Sequence, residues 1–114
     1  MRAEERELEL YLRDIADSIS MVEQFLNGVS KADFMKLPEK QAAVVRKMEI
    51  IGEAIKQLPM RFRDMHPHIP WKEIAGMRDK LIHGYFGVNL DMVWDAAKND
   101  LPKLKRDIKK LLEG

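Results

Sequence analysis

The sequence predicts an all-α protein, an up-and-down bundle of four main helices plus a short one. Aliphatic residues recur at three- and four-residue steps through most of the chain, and no segment alternates apolar and polar residues as a half-buried strand would. Prolines and glycines fall mainly where the periodic stretches end. With 114 residues there is material for a single domain, residues 1–114, with a real hydrophobic core.

The first helix is expected over residues 3–28. Leu8, Leu12, Ile15, Ile19, Val22 and Leu26 form its stripe, and Gly28 suits its stop. Ser30-Lys31-Ala32-Asp33 has the shape of a capping box and should open a short helix through Met35. Pro38 stands where a first helical turn tolerates proline. Behind it Val44, Met48, Ile51, Ile55 and Leu58 make the next stripe. Gly52 inside that helix costs about 1 kcal/mol against Ala, which points to close approach of another helix. Residues 59–70, with three prolines, read as the irregular part, and Pro70 starts the helix Pro70–Tyr85. Asn89 is a candidate N-cap for the last helical stretch, where Pro102 predicts a kink or break near Leu101.

Composition removes several function classes. There is no cysteine, so disulfides and thiolate metal sites are excluded. No apolar run approaches the roughly 20 residues of a membrane span, and the start, MRAEERELEL, is too acidic for a signal peptide. These features predict a cytoplasmic protein. Net charge is only +1, so no global basic field advertises nucleic acid. The charge is unevenly spread. Glu4, Glu5, Glu7, Glu9, Asp14, Asp17 and Glu23 crowd the first helix, while Lys98, Lys103, Lys105, Arg106, Lys109 and Lys110 crowd the last. Two terminal helices lying side by side with solvated faces explain this pattern. A basic strip that tracks a phosphate backbone is the other reading. His66 and His68 could in principle hold a metal, but with only Asp64 nearby they read as loop histidines. The eight methionines read as gap-filling core.

The stretch RDKLIHGY, residues 78–85, concentrates titratable chemistry. At about 100° per residue, Trp71, Ile74, Ile82 and Tyr85 fall within about 40° of Arg78 on a helical wheel. Arg78 therefore points along an apolar face, where a guanidinium is costly unless an anion meets it. Asp79 and His83 are one turn apart on another face, so the carboxylate can accept from one imidazole nitrogen and leave the other free. Arg78 and His83 stand about 140° apart on an ideal helix. Either the helix loosens before Gly84, or a second subunit supplies one of the two. Taken singly, each residue has a plainer role. His83 could cap a helix end, Arg78 could pair with Glu53 or Glu49, and Tyr85 could be a core aromatic with its hydroxyl at the edge.

Together, RDKLIH followed by GY resembles the Arg-x4-His-x-Tyr motif of the HEPN superfamily, and more closely the HepT-like toxins. The resemblance extends to EIIGEAIKQLP, HPHIPWKEIAGMRDKLIHGYFGVNLDMVW and DLPKLK, in that family's order, from about residue 8 onward. It implies a HEPN-like bundle, a homodimer, and a metal-independent endoribonuclease acting on tRNA or mRNA without a cofactor. It also implies a minimal nucleotidyltransferase antitoxin as partner, which adds AMP to Tyr85. Arg78 and His83 would be catalytic, with Asp79 and Tyr85 supporting. Many relatives carry Asn after the motif Arg. Asp79 stands there in this chain, and its charge would favour a protonated His83 and repel phosphate somewhat. A non-catalytic helical bundle that grips nucleotide or RNA is the alternative.

Overall fold

The computed structural model describes residues 2–82 and 89–114, except for the side chains of Arg78, Leu81 and Ile82. Among these residues the secondary structure is helical, with no strand. Helix α1 (Ala3–Phe25) buries Leu12, Ile15, Ile19 and Val22, the stripe read from the sequence. It ends three residues earlier than expected, and Gly28 follows in the left-handed region at φ 74°. Ser30 caps α2 (Lys31–Phe34), its Oγ accepting from the Asp33 N–H at 3.1 Å. Pro38 opens α3 (Pro38–Gln57), whose buried residues include Val44, Met48, Ile51, Gly52 and Ile55. Two side chains at the start of α3 hold the turn together. Lys40 Nζ donates to the Phe25 carbonyl at 2.9 Å, and Gln41 Nε2 donates to the Phe34 carbonyl at 2.8 Å.

The stretch expected to be irregular contains a helix, α4 (Met60–Met65), bracketed by Pro59 and Pro67. Six residues cannot hold a helix by propensity alone. Packing supplies the difference, since the Phe62 ring meets His66 at 4.7 Å and Trp71 at 6.2 Å between centroids. Trp71 begins α5 (Trp71–Ile82) and donates from Nε1 to the His66 carbonyl at 3.1 Å, so α4 is tied to α5 by both a ring cluster and a hydrogen bond.

Asn89 caps α6 (Leu90–Asp95), its Oδ1 accepting from the Met92 N–H at 3.1 Å. Of the kink or break expected near Leu101, the break does not occur. The chain instead widens into a π turn over Ala96–Asp100 and continues as α7 (Leu101–Glu113), with helical dihedrals at Asp100 and Leu101. The Leu101 N–H bonds the Ala96 carbonyl, a five-residue step. That wider turn shifts the carbonyls that a pyrrolidine ring at Pro102 would otherwise strike.

The core lies where α1 packs against α3 and α7, and α3 against α5. Ile15, Ile19, Val44, Ile55 and Ile108 are fully buried within it, each contributing about 1.5–3 kcal/mol of transfer free energy. The terminal helices do lie side by side, and Lys105 Nζ meets Glu23 Oε1 at 2.6 Å across them. The methionines divide: Met48 is core, whereas Met60 and Met65 are each 68% exposed. No helix among the described residues is long and apolar enough to cross a membrane.

Candidate functional site

Helix α5 carries the candidate site. Pro70 presets its first turn, where the Ile74 N–H bonds the Pro70 carbonyl at 3.1 Å. Trp71, Ile74 and Ala75 anchor one face in the core. The anchored face fixes which residues the rest of the helix presents. Lys72 and Asp79 are exposed, and Gly76 between them is half-buried. Steps of four and three residues put these three on one stripe. A Cβ built at Gly76 would meet nothing within 4 Å, so packing among the described residues does not require glycine there.

The backbone of Arg78 and Asp79 continues α5 as expected. His83, Gly84, Tyr85 and Gly87 lie outside the described residues, as do the Arg78 guanidinium and the expected pairing of Asp79 with His83. Of the two carboxylates considered for Arg78, Glu49 pairs with Arg46 at 3.2 Å, and Glu53 is exposed.

Two features escaped the sequence reading. The first is a groove of about 510 Å³ between α5 and α6, whose rim carries Glu73, Asp91, Asp95 and Asp100 against Lys80. Asp95 and Asp100 are five residues apart, a spacing that an ordinary helix would splay. The π turn closes in five-residue steps and sets both on the groove. This excess of carboxylates disfavours a polyanion in the groove. The second is a cavity of about 520 Å³ at the corner of α4 and α5, lined by Arg63, Asp64, His68, Trp71 and Lys72 among others. The His66 and His68 rings stand 6.1 Å apart, edge to face. Among the described residues no group of three or more His, Asp or Glu is placed to hold a metal ion.

Comparison with known proteins places these features in context. The model of a family described as "Ribonuclease HepT-like" matches residues 15–111, a span that includes the whole 78–85 stretch. The chain is 48% identical over 101 residues to a protein named "Probable ribonuclease HepT" from Thermococcus cleftensis, covering 89% of this chain and 92% of that one. It is 47% identical over 103 residues to a protein named "Putative RNase" from Caldanaerobacter subterraneus subsp. tengcongensis, covering 90% and 92%. A third relative, named "Gamma-glutamylcyclotransferase and putative RNase" from Methanocaldococcus jannaschii, is 48% identical over 108 residues, covering 95% of this chain. The chain spans about half the length of that relative, 49%. No solved structure matches.

Proposed function

The chain belongs to the HepT-like ribonuclease family, and on that premise we propose that it is a metal-independent endoribonuclease whose reacting groups are Arg78 and His83. The observation that carries the reading is the family match across the Arg-x4-His-x-Tyr stretch. RNA supplies its own nucleophile. The 2′-oxygen attacks phosphorus, the bond to the 5′-oxygen breaks, and the ends are a 2′,3′-cyclic phosphate and a 5′-hydroxyl. His83 takes the 2′-hydroxyl proton or gives one to the leaving oxygen. Arg78 holds two phosphate oxygens bidentately as charge gathers on them. Arg78 and His83 stand about 140° apart on an ideal helix, so a homodimer in which one chain brings Arg78 and the other His83 completes the shared site.

The purified protein should cleave a labelled tRNA and mRNA pool in EDTA and leave cyclic ends. A 2′-O-methyl group at the cut site should block it. Cleavage of the methylated strand would overturn the mechanism, because the nucleophile would be missing.

Control of this site is assigned to Tyr85 and a partner nucleotidyltransferase. A transferred AMP adds a phosphodiester charge beside Arg78 and competes with RNA for it. Incubation with the partner enzyme, ATP and magnesium should place the added mass on the peptide containing Tyr85. Tyr85→Phe should keep cleaving RNA after the same treatment. Added mass on another residue, or equal silencing of Tyr85→Phe, would remove Tyr85 from the switch.

A further inference from the structure

We propose that the outward face of α7, with the π turn before it, is a basic ridge that holds the phosphate backbone of the RNA strand beyond the bond that is cut. This deepens the ribonuclease reading and rests on it for the identity of the strand. Residues 96–110 hold six cations against two carboxylates, a net +4 in a chain whose total is +1. The side-by-side packing of the terminal helices accounts for part of this charge. Lys105 meets Glu23 across α1 and α7, and Lys109 lines a hollow with Asp17 of α1. Lys98, Lys103, Arg106 and Lys110 remain. All four are exposed, and none forms an ion pair among the described residues.

Helix geometry sets these four in line. At about 100° per residue, Lys103, Arg106 and Lys110 fall within about 60° of one another, and they lie opposite the buried stripe of Leu101, Leu104 and Ile108. Lys98 and Lys103 are five residues apart, a step that splays two side chains by about 140° on an ordinary helix. The π turn closes in five-residue steps and brings Lys98 onto the same face. Its Nζ sits over the Trp94 ring, 4.9 Å from the centroid. From Lys98 to Lys110 the rise is roughly 17 Å, enough for several consecutive phosphates of one strand. Cations spaced about a turn apart read charge and not sequence, so the ridge positions the strand without selecting its bases. The flanks limit the path. Glu73, Asp100 and Asp107 line a hollow with Lys103 on the α5 side, and Asp17 and Glu23 stand on the α1 side. A polyanion is repelled from both and stays on the crest.

The test uses a fully 2′-O-methylated single strand, which binds without being cut, and measures its affinity across a salt series. Lys103→Gln, Arg106→Gln and Lys110→Gln should each reduce the slope of log K against log salt by about 0.7, and the triple variant by about 2. All three positions are exposed, so the variants keep the fold, which helical CD checks. A control chain carrying Lys36→Gln, Lys56→Gln and Arg61→Gln loses the same charge from exposed positions elsewhere and should keep the wild-type slope. An unchanged slope in the ridge triple, or an equal loss in the control, would overturn the ridge. Polyglutamate of equal charge that binds the ridge as tightly as the strand would overturn the assignment to RNA in favour of an acidic protein. Cleavage separates this proposal from the reading it rests on. The ridge triple should raise KM for RNA and leave kcat as in the wild type, because the lost contacts are the same before and during the reaction. A chain that cuts RNA with KM and slope unmoved by the triple variant overturns the ridge alone. A chain that binds the methylated strand through the ridge but cuts no RNA overturns the ribonuclease reading and leaves the ridge standing.

Discussion

Arg78→Ala and His83→Ala are each expected to lower RNA cleavage by about 10²–10⁴-fold, the range for losing a general acid–base group or a charge-stabilising donor. Both variants should keep a near wild-type helical CD signal. The informative step is to mix them. A shared site takes Arg78 from one chain and His83 from the other, so each mixed dimer regains one intact site and keeps one doubly broken. After free exchange half of the dimers are mixed, which predicts recovery of about a quarter of the wild-type rate. A site complete within one chain gives no recovery, because every chain then carries a lesion. Exchanged mixtures that stay inactive would therefore end the shared-site model while leaving the catalytic assignment to be judged on the single variants.

Phe34→Ala is expected to cost about 3–5 kcal/mol, a large part of the roughly 5–15 kcal/mol that holds a domain of this kind together. Phe34 is fully buried although its helix has only four residues. Its ring packs on Trp94 with centroids 5.4 Å apart, and Lys98 covers the same indole at 4.9 Å. The pair adds about 0.5–1.5 kcal/mol to the area Phe34 buries. Because Trp94 belongs to α6, the loss should also loosen the acidic bank of the groove beside α5. Denaturant unfolding measures the first effect, and faster amide exchange in α6 measures the second. Lys31→Ala is the control, since the Lys31–Asp91 pair bridges the same helices at 3.1 Å but is 48% and 72% exposed, so losing it should cost less than about 1 kcal/mol. A Phe34→Ala chain as stable as that control would show that α2 lies outside the cooperative core.

The residues by themselves determined whatever depends on neighbours along the chain. The stripe of α1, the caps at Ser30 and Asn89 and the proline that opens α3 all obey rules spanning a turn or two, and all are found where those rules put them. The family is also legible in the sequence, because the landmarks that carry it are short strings in a fixed order. Tertiary structure alone decided the rest. Helix α4 exists because Phe62 meets Trp71, nine residues away, and not because MRFRDM favours a helix between two prolines. The turn before Pro102 widens into a π form where local rules predict a kink or break, and the chain continues with its carbonyls bonded. That turn places Asp95 and Asp100 on one groove, and the packing of α4 on α5 brings Arg63 and Lys72 into one cavity. Periodicity can tell which residues turn inward. Which of the outward ones share a hollow depends on how helices cross, and that is settled by side chains distant in sequence.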